Sequence, residues 1–196
     1  MNSILSIIRS SLDGDAIAQI GDNLGEGLGK THVAVGTTLP VLISALSNRA
    51  RKDNGESLGS ALDRDHDGEI LRDVSSFFSA GDFSDGGGIL GHVLGDKKPQ
   101  TARAISNSTG LNAAKADALL DMLAPIVMGA VGKVKTAHQF DSQGLTELLA
   151  GEEREIDKRL PGVISTVGVF LDKDGDGESE LTDLMARGRN LLTEFF

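Results

Sequence analysis

A weak internal repeat is the feature that most restricts how this chain can fold. Apolar, glycine and proline positions match at a constant offset of 85 residues, which pairs Pro40 with Pro125 and Gly25 with Gly110. Chance similarity between two amphipathic helical stretches would also give sparse identities of this kind. An internal duplication better explains why the prolines and two later acidic motifs follow in the same order in both halves.

Apolar residues recur at helical spacing along both halves, and strand-like alternation is absent. Seven Phe and no Trp or Tyr leave the core to Leu, Ile, Val and Ala, which suits packed helices. We therefore expect an all-α protein with a first half (residues 1–83) and a second half (residues 84–196), each a multi-helical repeat ending in an acidic loop and an exit helix. The glycine-rich segment 81–88 is the expected hinge, although the halves can also pack as one body.

The pattern also predicts where the helices lie. In the first half they are expected at 4–12, 15–24, 29–50, 57–62 and 69–80. In the second half they are expected at 88–95, 99–109, 112–135, 161–171 and 179–195, with an insertion at about 145–170. Gly25 and Gly110 should end the second helix of each half, and Asn112 should cap the N-terminus of the helix that follows it. Pro40 and Pro125 should kink the long helices or split each of them in two.

The motif Asp-x-Asp-x-Asp-Gly occurs twice and has the spacing of a calcium-binding loop. Alternate residues of such a loop direct oxygen ligands at one ion, and the sixth residue is Gly because the chain turns sharply there. We call residues 63–74 the first acidic loop and residues 172–183 the second acidic loop. The expected ligands are Asp63, Asp65, Asp67, the Glu69 carbonyl and Asp73 in the first loop, and Asp172, Asp174, Asp176, the Glu178 carbonyl and Asp183 in the second.

Both loops depart from the full calcium-binding pattern at the position that closes the site. The twelfth residue, a bidentate Glu in an EF-hand, is Val74 in the first loop and Asp183 in the second. The loops should therefore bind Ca²⁺ weakly, with dissociation constants on the order of 10⁻⁵ to 10⁻³ M, and should suit Mg²⁺ poorly. The alternative is a metal-free capping turn, because Asp at the start of a helix is favourable without an ion.

Two other motifs suggest chemistry but are incomplete. Residues 24–31 resemble a phosphate-binding P-loop, but Leu24 stands where the first Gly is required. The helix–Gly110–helix corner resembles a DNA-binding helix-turn-helix, yet it sets Lys115 beside Asp117 and Asp121 where bases and phosphates need cations. We expect no enzyme activity and no catalytic residue. A helix-turn-helix DNA-binding or regulatory protein is the alternative interpretation.

The charge and the hydropathy limit the partners. A net charge of −10 argues against nucleic acid and anionic membranes as partners. No window reaches the ~20 apolar residues of a membrane span, and the start of the chain lacks the basic and apolar regions of a signal peptide. A cytoplasmic location is therefore expected. The absence of Cys excludes disulfides and thiolate metal sites.

Several segments together resemble a known bacterial family. Residues 88–95 (GILGHVLG), the Thr-Gly at 109–110, residues 124–129 (APIVMG) and the acidic loop near the end are similar to the YidB-like family, a domain of unknown function. The resemblance covers most of residues 86–185 and, more faintly, residues 2–80. It implies an all-helical fold and no established reaction. Similar members close the acidic loop with two adjacent Asp, whereas this chain has only Asp73 and Asp183 at those places.

These observations favour a non-enzymatic helical binding or self-association module whose loops are stabilised by calcium. Its partner would be a second copy, giving a homo-oligomer, or another protein. The apolar N-terminal segment and residues 191–196 (LLTEFF) motivate self-association, because exposed apolar segments form adhesive patches. If these segments are buried, they only close the domain.

Overall fold

A computed structural model describes residues 3–159, and every regular element in this range is helical. The α-helices are α1 (Ile4–Ser11), α2 (Gly14–Leu24), α3 (Leu28–Lys52), α4 (Glu56–Asp65), α5 (Val74–Ala80), α6 (Ser84–Val93), α7 (Lys98–Thr109), α8 (Ala113–His138) and α9 (Ser142–Arg159). Short 3-10 helices cover Glu69–Arg72 and Gly95–Lys97. The all-α class is therefore confirmed for residues 3–159, which contain no β-strand.

Local sequence sets the ends of the helices as expected. Asn112 caps α8, and its Oδ1 accepts a hydrogen bond from the Lys115 amide at 2.9 Å. Gly25 and Gly110 end α2 and α7 in the left-handed conformation, with φ values of 62° and 72°. Pro99 lies in the first turn of α7, where a missing amide hydrogen costs nothing.

The expected splitting of the long helices is wrong. Helix α3 runs through Pro40 and helix α8 runs through Pro125 without interruption. Residues on every side of both prolines are buried, including Leu39, Val41 and Ile126. Burial of the surrounding turns outweighs the ~3 kcal/mol that an internal proline costs a helix.

Other boundaries also differ from the prediction. Helix α4 continues to Asp65, and the exit helix expected over 69–80 is interrupted at Asp73 between a 3-10 helix and α5. Gly86, Gly87 and Gly88 of the expected hinge lie inside α6, so only residues 81–83 connect the halves. Helix α6 needs Gly86 because it packs directly on α8, and a Cβ built on Gly86 would lie 1.8 Å from the carbonyl oxygen of Asp121. Helix α9 occupies part of the expected insertion.

The two halves share one hydrophobic core. Helices α3 and α8 pack against each other, and buried side chains from Ile4 to Ile156 form a single cluster. Several elements of one half lie on the other half. Helix α1 and the 3-10 helix Glu69–Arg72 pack on α8, while α9 packs on α3 and α4. No helix within residues 3–159 is long and apolar enough to cross a bilayer.

One face of the N-terminal helix is buried. Ile4 and Ile8 of α1 have no exposed surface and close the domain, while Leu5 and Ile7 are half-buried. The α1 N-terminus is bound by a carboxylate from α9, since Glu152 Oε1 accepts a hydrogen bond from the Ile4 amide at 2.9 Å. Glu152 is itself buried, and its Oε2 has no hydrogen-bond partner.

Glu152→Gln is expected to change how stability depends on pH. Burial raises the pKa of Glu152, and the hydrogen bonds from the Ile4 and Leu5 amides oppose this only in part. A carboxyl whose pKa is raised by folding contributes stability that is fully present below its unfolded value and is lost as pH rises through its folded value. The wild-type free energy of unfolding should therefore fall, relative to that of the variant, as pH rises above the ordinary value of 4.5.

Urea unfolding of both proteins between about pH 4 and pH 8 measures this difference. Glu155→Gln is the matched control, because Lys158 holds the pKa of Glu155 below its ordinary value. For Glu155 the pH dependence is the opposite, because its contribution to the free energy of unfolding is lost as pH falls. A difference between wild type and Glu152→Gln that stays constant with pH would contradict the prediction.

Candidate functional site

The first acidic loop lies along α8. Gly68, the sixth residue of the motif, has a φ of 96°, a left-handed conformation that glycine adopts readily. A Cβ built on Gly68 would lie 2.9 Å from Lys133 Cβ and 3.0 Å from the Gly129 carbonyl oxygen. Ile70 packs against the core, as an anchoring residue of such a loop should. The loop therefore has a fixed position on the surface of α8.

Two glycines of α8 make this close approach possible. A Cβ built on Gly132 would lie 1.8 Å from the His66 carbonyl oxygen, and one built on Gly129 would lie 2.6 Å from Ile70 Cγ2. Any side chain at these positions would collide with the loop. Because α8 belongs to the second half, the first acidic loop connects the two halves.

The carboxylates of this loop lie on several different elements. Asp63 and Asp65 are in the last turn of α4, Asp67 is in the turn before Gly68, and Glu69 begins the 3-10 helix. Because α4 extends to Asp65, the first two expected ligands are on a helix and do not line a loop. Asp73 follows the 3-10 helix and caps α5.

Each of these residues makes a contact within the protein. Asp63 pairs with Lys135 of α8. Asp65 Oδ2 lies 2.5 Å from Arg64 Nε, and Glu69 Oε1 lies 2.7 Å from Arg72 Nη1. Asp67 Oδ1 accepts a hydrogen bond from the Glu69 amide at 2.9 Å. The loop is thus held together by local hydrogen bonds and ion pairs.

Asp73 acts as a helix cap. It accepts hydrogen bonds from the hydroxyl and the amide of Ser76 at 2.6 and 2.9 Å. The bond from the Ser76 hydroxyl, followed by that from its amide, holds the pKa of Asp73 below its ordinary value. This geometry supports the capping interpretation at the position where a closing calcium ligand was expected.

Carboxylate and carbonyl oxygens are the ligands that Ca²⁺ prefers, so the donor chemistry of the loop suits this ion. Across residues 3–159, however, no three acidic or histidine side chains converge closely enough to hold a metal. The arrangement shown therefore needs a change of partners before it fits a calcium ion. The second-loop ligands Asp172, Asp174, Asp176, Glu178 and Asp183 lie outside the described residues, as do the helices expected at 161–171 and 179–195 and the terminal segment 191–196.

Lys135 is the residue of this site that the sequence analysis missed. Its side chain is only 12% exposed, and its ammonium group faces Asp63. The sequence carries no signal that singles out Lys135, because Lys133 also follows the apolar stretch of α8 and is exposed. Lys135 supplies the positive charge that a bound cation would otherwise bring to Asp63.

The corner that resembles a P-loop contacts the corner that resembles a helix-turn-helix. Lys115 Nζ lies 2.8 Å from Glu26 Oε1 and donates a hydrogen bond to the Gly25 carbonyl oxygen at 3.1 Å. Lys30 Nζ lies 3.2 Å from Glu26 Oε2. Lys115, and after it Lys30, holds the pKa of Glu26 below its ordinary value. Both lysines therefore make internal ion pairs, which supports the packing interpretation of the two motifs.

The acidic residues beside the second corner are also paired within the protein. Lys98 Nζ lies 3.0 Å from Asp117 Oδ2 and 2.9 Å from Asp121 Oδ1. These contacts join α7 to α8. They give the two carboxylates a structural partner at the place where a recognition helix would need cations for phosphate.

A cleft of about 520 Å³ lies between α1 and α8. It is lined by Ser6, Ile7, Ser10, Ser11, Lys133, Val134, Ala137 and His138. Lys133 also touches Gly68 of the first acidic loop, so the loop and the cleft share one residue of α8. The cleft, like the loop, lies where the two halves meet.

The family of the chain agrees with the sequence resemblance. Residues 6–134 match the family described as "Bacterial protein of unknown function (DUF937)", and the chain belongs to this family. The match covers α3, the first acidic loop and most of α8. No curated protein and no solved structure matched the chain.

Proposed function

We propose that this protein is a non-enzymatic helical module for binding and self-association, and that its acidic loops bind Ca²⁺ weakly in a structural role. The observation that carries the proposal is the position of the first acidic loop, which comes from the first half and lies on α8 of the second half. An ion bound at this loop would stabilise the contact between the halves. Calcium would therefore act on the stability of the module and on no reaction.

The internal duplication is part of the same proposal. Helices α3 and α8 begin 85 residues apart, at Leu28 and Ala113. The corners before them also make related contacts, because a Cβ built on Gly25 would lie 3.8 Å from Lys115 Nζ, and one built on Gly110 would lie 3.8 Å from Lys30 Cε. Each lysine thus approaches the glycine of the opposite corner. This supports two equivalent units, each with its own acidic loop.

Calcium binding at the first loop requires Asp63 to exchange its partner. The Lys135 ammonium group lies beside the Asp63 carboxylate, and two cations cannot share this position without repulsion. Asp65 and Asp67 would also have to give up contacts made within their own segment. This competition supports the low affinity expected from the incomplete ligand set.

Lys135→Met is expected to raise the calcium affinity of the first loop about fivefold. The substitution keeps an unbranched side chain that is one atom shorter and removes the competing charge, which is worth about 1 kcal/mol at a partly exposed ion pair. Isothermal titration calorimetry with Ca²⁺ measures the affinity. A background of Asp172→Asn and Asp174→Asn confines the measurement to the first loop. In the same background, Ca²⁺ should raise the melting temperature.

Lys133→Met is the matched control. Lys133 is also on α8 and lies against Gly68 of the first acidic loop, but it makes no ion pair within residues 3–159. Its loss should therefore change the calcium affinity little. Equal affinities for Lys135→Met and Lys133→Met would show that Lys135 does not compete with the ion. An absence of heat and of thermal stabilisation in all variants, up to several millimolar Ca²⁺, would overturn the calcium part of the proposal.

A further inference from the structure

The two halves contact each other through elements that lie on the opposite half. Helix α1 and the 3-10 helix Glu69–Arg72 pack on α8, and α9 packs on α3 and α4. Between α5 and α6 the chain crosses from one half to the other through residues 81–83 alone. The contact surface between the halves is thus large and apolar, while the covalent connection is short.

We propose that the partner in self-association is a second copy of this chain, bound by exchange of halves. In such a dimer, α1–α5 of one copy pack on α6–α9 of the other copy. Every contact between halves that exists in the monomer is then formed again between copies, and only the connection at 81–83 changes. The inference rests on the proposed self-association and names its partner and its surface.

The connection at residues 81–83 has the features of a hinge. In the monomer it turns back so that the two halves of one copy pack together, which we call the closed form. Gly81 ends α5 in the left-handed conformation with a φ of 70°, and no atom would contact a Cβ built there. Phe83 lies edge-on to Phe77, with ring centroids 5.5 Å apart, and contacts Phe78 at 6.3 Å. These contacts fold the chain back at the corner. A substitution that destabilises the turn at residues 81–83 therefore favours an extended connection, which we call the open form. In the open form the two halves of one copy are apart and can each pack on a second copy.

Gly81→Ala tests the exchange, because Ala disfavours the left-handed corner without creating a collision. The full chain is unfolded in denaturant and refolded at low and at high protein concentration, and the products are separated by size exclusion with light scattering. Each dimer opens two corners. A penalty of roughly fivefold per corner should raise the dimerisation constant about 25-fold over wild type. The isolated dimer should persist on dilution, since its return to monomer requires the halves to separate.

Gly95→Ala is the matched control. Gly95 also has a left-handed φ, 55°, and open space around its Cβ position, but it lies between α6 and α7 within the second half. It should destabilise the chain similarly and leave the dimer fraction near that of wild type. An equal rise in both variants would overturn the exchange, because general destabilisation would explain it.

Two other results separate the exchange from the proposed self-association. A wild-type dimer that dissociates promptly on dilution and is unaffected by Gly81→Ala would overturn the exchange and leave self-association through an outer surface. Monomer alone, in wild type and both variants at the highest concentration, would overturn both.

Discussion

Replacing Gly132 by Ala is expected to lower the free energy of unfolding by about 3 kcal/mol, the upper end of the usual cost of overpacking. The added Cβ would lie 1.8 Å from the His66 carbonyl oxygen, which is backbone and has no rotamer to change. Either α8 or the first acidic loop must shift. Gly86→Ala should have a similar cost, because its Cβ would lie 1.8 Å from the Asp121 carbonyl oxygen. Urea unfolding measures both losses.

Gly88→Ala and Gly91→Ala in α6 are the matched controls. Neither Cβ would have an atom within 4 Å, and both residues are exposed. Ala is a better helix former than Gly by about 1 kcal/mol, so these variants should be stabilised by up to that amount. A lower free energy of unfolding for Gly132→Ala and a higher one for Gly88→Ala would distinguish the effect of a close contact from that of helix propensity. If Gly132→Ala were as stable as Gly88→Ala, the first acidic loop would not be seated on α8 as described.

The helices and their caps followed from the sequence because they depend on neighbouring residues. Asn112 accepts a bond from an amide three residues away, and Gly25 and Gly110 supply a left-handed conformation that other residues avoid. Gly68 at the turn of the first acidic loop is of the same kind. In each of these cases the signal and its effect lie within one turn of the chain.

The errors concern residues whose conformation is decided by another element. The whole segment 81–88 was interpreted as a hinge, but α6 begins at Ser84 and packs on α8 through Gly86, which leaves only residues 81–83 as the connection. Pro40 was expected to kink α3 or split it in two, and the splitting is wrong because burial of the surrounding turns keeps one continuous helix. Helix α4 was expected to end at residue 62, but it continues to Asp65 and places Asp63 opposite Lys135 of α8. No pattern within a single segment contains this information.

The buried carboxylates of α9 are a third case, in which a signal existed but was not used. Leu145, Leu149 and Ile156 form an apolar stripe at helical spacing, and Glu152 stands at the position in this stripe where another apolar residue is expected. A charged residue in an apolar stripe indicates a buried partner elsewhere. For Glu152 that partner is the N-terminus of α1, which is 148 residues away in the chain.

Glu153→Ala is expected to lower the free energy of unfolding by about 2 to 3 kcal/mol. Glu153 is 6% exposed, and its carboxylate is bound entirely by side chains of α3. Oε1 accepts a bond from the Ser44 hydroxyl at 2.9 Å, and Oε2 accepts bonds from the Ser47 hydroxyl at 2.8 Å and from Arg51 Nη1 at 2.7 Å. The loss stays below that of a fully buried pair because Arg51 is 45% exposed and regains water.

Urea unfolding measures the loss of stability, and hydrogen exchange in α9 shows whether this helix leaves α3 before the rest unfolds. Glu153→Gln should fall between wild type and Glu153→Ala, because it keeps an acceptor for one serine and loses the charge that binds Arg51. Glu155→Ala is the control on the exposed face of α9, where its pair with Lys158 should contribute little. A loss for Glu153→Ala no greater than for Glu155→Ala would contradict the prediction. Since α9 and α3 belong to different halves, a large loss would show that polar contacts, as well as the apolar core, hold the halves together.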